Sequence, residues 1–174
     1  MKLLVLGGTG FLGTSLKKKY PEHIYWGTKN YIVEQTNPSI VLEYVYSNNI
    51  THIIDFTKNK HSHIIPAMKL INGLSENTIY VHISTYGVMF DNMFFNEEEY
   101  YSTKRIIEQS IRPMDYSIRV PMILETQDKE LIFKGVRTEY MYSLLPEEFV
   151  YHLMYILENS SSGLHIMQSR VIYK

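Results

Sequence analysis

Short apolar runs alternate along the chain with segments whose apolar residues recur every three or four positions. The runs have the length and composition of buried strands, and the segments between them have the period of amphipathic helices. Predicted strands cover residues 2–7, 23–27, 51–56, 79–84, 116–120 and 131–137, with a final strand at 164–167. Predicted helices cover residues 11–19, 38–48, 62–73, 99–112 and 146–158. This alternation predicts an α/β fold with a doubly wound parallel sheet and helices on both faces.

A glycine-rich turn joins the first predicted strand to the first predicted helix. Gly7, Gly10 and Gly13 are spaced three residues apart, directly after the apolar run Leu3–Leu6. The first permits a tight turn, the second lets the backbone approach a pyrophosphate, and the third lets the helix pack close to the strand. Amides at the helix start also favour an anion. The turn therefore predicts a Rossmann-type fold that binds a dinucleotide, and a purely structural turn is the alternative.

Composition and charge limit the other classes of function. The chain has 174 residues, a formal net charge of −1 and no cysteine. This length suits one domain over residues 1–174, and the charge gives no electrostatic reason to expect nucleic acid or an anionic membrane as a partner. Disulfides and thiolate chemistry are excluded, and no apolar run approaches the roughly 20 residues of a membrane span. We expect a cytoplasmic protein.

Three polar residues could carry acid–base chemistry near the predicted carboxyl edge of the sheet. Thr85 follows the fourth strand, and Tyr100 and Lys104 share one face of the fourth helix because they are four residues apart. A free phenol has a pKa of about 10, and a nearby ammonium lowers it. Such a set moves a proton to or from a carbonyl or alcohol oxygen while a nicotinamide transfers hydride. A chance Tyr-x-x-x-Lys spacing on a helix is the alternative.

Two stretches around these residues resemble motifs of a known family. Ser84-Thr85-Tyr86-Gly87-Val88-Met89 stands where dTDP-4-dehydrorhamnose reductases have Ser-Thr-Asp-Tyr-Val-Phe. Tyr100-Tyr101-Ser102-Thr103-Lys104, with Glu108 shortly after it, stands where they have Tyr-Gly-x-Thr-Lys and a glutamate. These enzymes belong to the extended short-chain dehydrogenase/reductase superfamily, which also contains NAD-dependent epimerases and dehydratases.

Three further stretches extend the resemblance over nearly the whole chain. Glu34-Gln35-Thr36-Asn37-Pro38 is similar to the family's Asp-x-x-Asn-Pro. Arg119 resembles an arginine on the fifth strand, and Gly163-Leu164-His165-Ile166 contains the family's Gly-x-x-His. Family members continue beyond that motif into a segment that helps form the sugar-nucleotide pocket, whereas this sequence ends at Lys174. The resemblance therefore implies a shortened member with a reduced substrate-side portion at about residues 121–174.

The resemblance also implies roles for individual residues. Tyr100 would be the general acid/base, Lys104 would bind the nicotinamide ribose and tune the phenol, and Thr85 would contact the substrate oxygen. The predicted cofactor-binding residues are Gly7, Thr9, Gly10, Phe11, Leu12, Gly13, Lys29, Glu34, Asp55, Phe56, Thr57 and Lys104. Asp55 departs from the family, which has a neutral residue there; its carboxylate either binds a ribose hydroxyl or marks an altered function.

The residues after the second strand bear on the choice of cofactor. An acidic residue there selects NAD, and a basic one accommodates the 2′-phosphate of NADP. The sequence Gly27-Thr28-Lys29-Asn30 has no acid, so Lys29 favours NADP, with NAD as the alternative. No metal site is expected, because the pair of histidines in His61-Ser62-His63 has no third ligand nearby in sequence.

These observations predict an NAD(P)-dependent oxidoreductase that acts on a sugar nucleotide, specifically a reductase of a 4-keto sugar. Sugar-nucleotide epimerases and dehydratases use the same fold and the same Tyr–Lys pair, so they remain alternatives. A non-catalytic dinucleotide-binding sensor or subunit is a third. A homodimer in which one chain covers the pocket of the other is possible, and the stripe of Tyr151, Met154 and Tyr155 is either core packing or an oligomer face.

Overall fold

The computed structural model describes residues 1–27, 37–57, 60–89, 98–124 and 140–173. Its strands are β1 (Leu3–Leu6), β2 (Ile24–Trp26), β3 (His52–Asp55), β4 (Ile79–Thr85), β5 (Tyr116–Val120), β6 (Met122–Ile123), β7 (Tyr140–Leu144), β8 (Gly163–Ile166) and β9 (Arg170–Tyr173). Its helices are α1 (Phe11–Lys19), α2 (Pro38–Ser47), α3 (Ile64–Gly73), α4 (Glu98–Ser110) and α5 (Pro146–Asn159), with 3-10 turns at His61–His63 and Tyr86–Val88.

Six parallel strands form the main sheet, in the order β2-β1-β3-β4-β5-β8. Leu6 at the end of β1 is in register with Asp55 at the end of β3, and Thr85 at the end of β4 is in register with Val120. The strand order reverses between β1 and β3, and ligands of open α/β sheets bind at the carboxyl edge beside such a reversal. The predicted doubly wound parallel sheet is therefore confirmed, and the glycine turn lies at the reversal.

Helices cover both faces of this sheet, as the near-continuous apolar strands require. Side chains alternate between faces along a strand, so neighbouring residues of β1 enter different cores. Leu3 and Val5 pack with α1 and α5, while Leu4 and Leu6 pack with α2, α3 and α4. All four side chains are buried. None of the helices in the described ranges is long and apolar enough to cross a membrane.

A small second sheet was missed by the sequence analysis. It contains β6, β7 and β9, with β7 parallel to β6 and antiparallel to β9. The prediction that the strand at 164–167 is the last one is therefore wrong, because β9 follows it. These strands are only two to five residues long and pair with distant segments, so local periodicity is a weak signal for them. The strand predicted at 131–137 lies outside the described residues.

Candidate functional site

The glycine turn brings the ends of β1 and β3 close together. Gly7 has a φ of 83°, a left-handed conformation that favours glycine. A Cβ atom on this residue would lie 3.0 Å from Thr57 Cγ2 and 3.1 Å from Phe56 Cβ. Three of the predicted cofactor residues, Gly7, Phe56 and Thr57, are therefore neighbours at the carboxyl edge of the sheet.

The other two glycines of the motif differ in what surrounds them. A Cβ on Gly13 would lie 2.4 Å from the carbonyl oxygen of Gly7 and 2.5 Å from Gly8 Cα, so α1 packs directly on the backbone of the turn. A Cβ on Gly10, by contrast, would have only the Gly7 carbonyl oxygen within 4 Å among the described residues, at 3.3 Å. The space above Gly10 is therefore open, as the approach of a pyrophosphate requires.

The start of α1 suits an anion. Gly10 is its first flanking residue and offers no side-chain cap, and Phe11, Leu12 and Gly13 carry no negative charge in its first turn. The positive end of the helix dipole faces the glycine turn, and no acidic residue in the first turn of α1 competes with an anion there. Three lysines occupy the last turn, at the negative end of the dipole. Thr9 packs on Gly27 at the end of β2, which holds the turn against the neighbouring strand. These features fit a dinucleotide phosphate.

Asp55, the last residue of β3, is fully buried and holds the segment that follows the strand. Its Oδ1 atom accepts hydrogen bonds from the Thr57 amide at 2.8 Å and the Thr57 hydroxyl at 2.6 Å. Its Oδ2 atom accepts a hydrogen bond from the Tyr80 hydroxyl at 2.8 Å. Burial, followed by the charge of Asp55, raises the pKa of Tyr80 well above its ordinary value, so the phenol stays protonated. Asp55 therefore fixes Thr57 through hydrogen bonds from within the protein.

Thr85 ends β4 and begins the 3-10 turn Tyr86–Val88. Its Oγ1 atom accepts a hydrogen bond from the amide of Gly87 at 3.3 Å. The hydroxyl hydrogen of Thr85 is not used in that bond, so it can still be donated to another oxygen. The hydroxyl of the neighbouring Tyr86 donates a hydrogen bond to the Met167 carbonyl and lies 3.3 Å from Ser169 Oγ. The turn after β4 is thereby joined to the connection between β8 and β9.

Helix α4 places Tyr100 and Lys104 beside the same strand. The Lys104 side chain is 4% exposed, and its Nζ atom donates a hydrogen bond to the Ile83 carbonyl at 2.7 Å. The same Nζ atom lies 5.5 Å from the centre of the Tyr100 ring. The backbone carbonyl of Lys104 lies 3.3 Å from Nε2 of the buried His82. The ammonium is thus held between the Tyr100 ring and the strand that ends in Thr85.

The first turn of α4 is also joined to the segment after β3. The His61 amide donates to Glu99 Oε1 at 3.0 Å, and the His61 ring lies 2.7 Å from Ser102 Oγ. His61 is therefore bonded to α4. Among the described residues no group of three or more histidine, cysteine, aspartate or glutamate side chains is placed to hold a metal ion. Lys29 and Glu34, two predicted cofactor contacts, lie outside the described residues.

Sequence reasoning assigned no role to the polar partners behind α4. Glu108 lies two helical turns after Tyr100 and forms an ion pair with Arg119 of β5. Ser117 Oγ lies 3.3 Å from Glu108 Oε2. An arginine within a buried strand needs a carboxylate partner, so Arg119 itself indicated from the sequence that an acidic residue must lie beside β5. Glu108 was the candidate partner, because it follows Lys104 by four residues on the same helix face.

The chain therefore has a Rossmann-type α/β fold with a glycine turn at the reversal of strand order and a Tyr–Lys pair beside β4. Solved structures with this fold include a hypothetical dTDP-4-dehydrorhamnose reductase from Sulfolobus tokodaii, with a TM-score of 0.72 and 18% identity over 99% of this chain and 78% of that one. The resemblance inferred from the motifs is confirmed as a likeness of fold.

Two further structures with this fold were solved with a nicotinamide dinucleotide. The dTDP-4-dehydrorhamnose reductase of Bacillus anthracis, in complex with NADP, has a TM-score of 0.71 and 17% identity over 99% of this chain and 77% of that one. The UDP-glucose 4-epimerase of Thermus thermophilus, in complex with NAD, has a TM-score of 0.69 and 13% identity over 98% of this chain and 79% of that one. No protein-family model matches the chain, and no curated protein matches its sequence.

Proposed function

We propose that this protein is an NAD(P)-dependent oxidoreductase that acts on a sugar nucleotide, specifically a reductase of a 4-keto sugar. The observation that carries the proposal is the buried Lys104 ammonium, which lies 2.7 Å from the Ile83 carbonyl and 5.5 Å from the centre of the Tyr100 ring. A lysine is costly to bury, so a binding module with no chemistry to perform would have little use for this arrangement. Structures of the same fold are described as reductases and epimerases of sugar nucleotides.

A nicotinamide dinucleotide, when bound, supplies the hydride acceptor or donor. The glycine turn and the start of α1 would hold its pyrophosphate, since Gly10 leaves the backbone open. Phe56 and Thr57, which lie beside Gly7, would line the neighbouring part of the cofactor site. NADP remains our preferred cofactor because Lys29 follows the second strand.

The chain's own residues would handle the proton. The Thr85 hydroxyl would donate a hydrogen bond to the substrate carbonyl oxygen, while its Oγ1 atom accepts a hydrogen bond from the Gly87 amide. The Tyr100 phenol would then deliver a proton to the same oxygen as negative charge develops on it. The Lys104 ammonium would stabilise the resulting phenolate, because an adjacent cation favours the ionised form of a phenol.

The substrate side of the site would be formed by residues 121–174. Strand β6 follows directly from the carboxyl end of β5, and the Met167 carbonyl accepts a hydrogen bond from Tyr86, next to Thr85. The rings of Tyr86 and Tyr142 of β7 meet edge-on at 5.7 Å. These contacts link the second sheet to the turn that follows Thr85, which supports a substrate side formed by this part of the chain.

A homodimer is a further part of the proposal. Met154 is buried in the core, whereas Tyr151 and Tyr155 are exposed and their rings stack 6.3 Å apart on α5. The stripe is therefore divided between core packing and a surface suited to a second copy. Sedimentation at low concentration measures the oligomeric state, and turnover is measured at the same concentration. A monomer that still turns over substrate would exclude pocket sharing between chains.

The test of the function combines cofactor binding with turnover. NADPH and then NADH are titrated into the protein while nicotinamide fluorescence is followed, and a panel of 4-keto sugar nucleotides is then supplied with the tighter cofactor. Tyr100→Phe is expected to abolish turnover and leave cofactor affinity nearly unchanged. Tyr46→Phe, which changes an exposed tyrosine on α2, is the matched control. Full turnover by Tyr100→Phe overturns its role, and tight binding without any turnover by the wild type favours a sensor or subunit.

A further inference from the structure

Helix α4 meets the turn after β4 through one aromatic ring. A Cβ atom at position 87 would lie 1.9 Å from Cε1, 2.5 Å from Cδ1 and 2.6 Å from Cζ of Tyr101. Tyr101 is 7% exposed, so its ring is part of the packed interior. The ring therefore occupies the volume that a side chain at position 87 would fill, and only glycine permits this contact.

The two sides of this contact carry the two halves of the candidate catalytic set. Gly87 donates its amide to Thr85 Oγ1, so the glycine is bonded to the hydroxyl proposed to bind the substrate oxygen. Tyr101 directly follows Tyr100, and their rings meet edge-on with centres 5.5 Å apart. A movement of the Tyr101 ring against Gly87 would therefore change the spacing between Thr85 and Tyr100.

The same pair of positions shows an exchange of side-chain size relative to the resembled motifs. Those motifs have tyrosine where this chain has Gly87, and glycine where it has Tyr101. In this chain the bulky group is on the helix, and its ring fills the space beside Gly87 at the turn.

We infer that Tyr101 is a positioning residue: its ring, seated on Gly87, sets the distance between the Thr85 hydroxyl and the Tyr100 phenol. This inference rests on the proposed function, in which Thr85 donates a hydrogen bond to the substrate oxygen and Tyr100 delivers the proton. One further bond supports the same junction, since Arg105 donates to the Val88 carbonyl at 3.1 Å. That bond fixes the helix to the turn but does not fill the space at Gly87.

The first test compares Tyr101→Ala, Tyr101→Phe and the exchange Gly87→Tyr/Tyr101→Gly. Tyr101→Ala is expected to lower kcat about 100-fold, because a displacement of about 1 Å between reacting groups has that effect. The KM and the NADPH affinity should stay close to wild type, since the glycine turn is unchanged. Tyr101→Phe keeps the ring and should retain kcat, and the exchange should restore most of it. An unchanged kcat in Tyr101→Ala overturns the inference.

A second measurement separates this inference from the proposed function. 3-Fluorotyrosine placed at position 100 alone gives one ¹⁹F resonance, which can be followed in the NADPH complex without any substrate. Tyr101→Ala should move that resonance by more than the loss of the neighbouring Tyr101 ring current accounts for, since the two ring centres are 5.5 Å apart, and Tyr101→Phe should not move it. If the wild type lacks turnover but the resonance moves in this way, the function fails and the positioning role stands. A shift in Tyr101→Ala no larger than the loss of that ring current overturns the role whatever the activity.

The control for general destabilisation is Tyr116→Ala. Tyr116 is also a buried tyrosine, but it packs in the core shared with α5 and donates its hydroxyl to the Ser160 carbonyl at 2.8 Å. Its loss should lower thermal stability without moving the ¹⁹F resonance or kcat. Equal effects of Tyr116→Ala and Tyr101→Ala on kcat would mean that Tyr101 only stabilises the fold, and would overturn the inference. If the exchange variant fails to fold, the comparison of Tyr101→Ala with Tyr101→Phe still shows whether the Tyr101 ring sets kcat and the ¹⁹F resonance.

Discussion

Glu108 of α4 and Arg119 of β5 form an ion pair on the helix face that also carries Tyr100 and Lys104. Arg119 Nε lies 3.2 Å from Glu108 Oε2, and the second nitrogen contacts Oε1. Their side chains are 12% and 19% exposed, so water screens the pair only in part. The pair fixes α4 against the sheet two helical turns from Tyr100, and its role is therefore structural support of the site.

Removing one member of this pair should destabilise the protein. Glu108→Gln leaves the Arg119 guanidinium without its charged acceptor, and we expect a loss of about 2 kcal/mol in the free energy of unfolding. Urea denaturation followed by the fluorescence of Trp26, the single tryptophan, measures it. The Arg170–Glu148 pair is the control, because Arg170 is 58% exposed and Arg170→Met should cost less than about 1 kcal/mol. Equal losses in the two variants would contradict this explanation.

The glycine turn predicts different outcomes for two alanine substitutions. In Gly13→Ala the new methyl group meets the backbone of Gly7 and Gly8, so we expect a stability loss of about 1–3 kcal/mol and weaker NADPH binding. In Gly10→Ala the methyl group enters open space, and the stability loss should be below about 1 kcal/mol. NADPH affinity should still fall in Gly10→Ala, because the methyl group obstructs the pyrophosphate.

Nicotinamide fluorescence and urea denaturation on the same two samples check the glycine prediction. Unchanged NADPH affinity in a stable Gly10→Ala protein would mean that the pyrophosphate does not approach this backbone.

Asp115 anchors the connection between α4 and β5. It is fully buried and accepts hydrogen bonds from the Arg112 side chain at 2.7 Å and 2.9 Å and from the Tyr80 amide at 2.8 Å. Hydrogen bonding to Asp115 raises the pKa of Arg112, so the guanidinium stays charged. Arg112 also donates to the carbonyls of Leu74, Ser75 and Thr78, which joins α4 to the segment before β4.

Asp115→Asn should therefore be strongly destabilising. It removes the buried negative charge but leaves the Arg112 charge in place, and breaking a buried pair in this way costs about 3 kcal/mol. Thermal unfolding measures the effect. Glu76→Gln, which neutralises an exposed acid in the nearby connection, should leave stability within about 0.5 kcal/mol of wild type. A small effect of Asp115→Asn would show that the network does not depend on charge.

The buried phenol of Tyr80 predicts how stability changes at alkaline pH. Its pKa is raised above that of the unfolded chain, about 10, so its contribution is fully present below pH 10. As pH rises further, the unfolded phenol loses its proton and the folded one does not, so stability falls. Tyr80→Phe should lose about 2 kcal/mol at pH 7, because Asp55 loses a donor, and should show a shallower fall above pH 10.

Urea denaturation at pH 8, 10 and 11 tests the behaviour of Tyr80. Tyr25→Phe is the control, since burial raises the pKa of Tyr25 to about 12 and its hydroxyl donates only to a backbone carbonyl, that of Tyr20. Tyr25→Phe should remove only the part of the fall in stability above pH 10 that Tyr25 causes. The part that Tyr80 causes should remain. An identical pH profile for wild type and Tyr80→Phe would exclude the assigned protonation state.

The sequence predicted the main elements of the fold because their signals are local. Helices α1 and α5 begin where they were expected, and α3 begins two residues later, after a 3-10 turn. The second sheet was missed because β7 and β9 pair with each other across more than 20 residues, which no local pattern records. The face shared by Tyr100 and Lys104 was predictable, because four residues make about one helical turn.

The sequence alone was enough to predict the order of the strands and helices of the main sheet and the glycine turn after β1, since hydrophobic period and glycine spacing are properties of neighbouring residues. The contacts between distant residues became visible only in the three-dimensional structure: Asp55 with Thr57 and Tyr80, Glu108 with Arg119, and the Tyr101 ring with Gly87. The first depends on the pairing of β3 with β4, and the other two depend on how α4 is placed over the sheet. That placement comes from close packing of residues far apart in the chain, for which a single sequence contains no local signal.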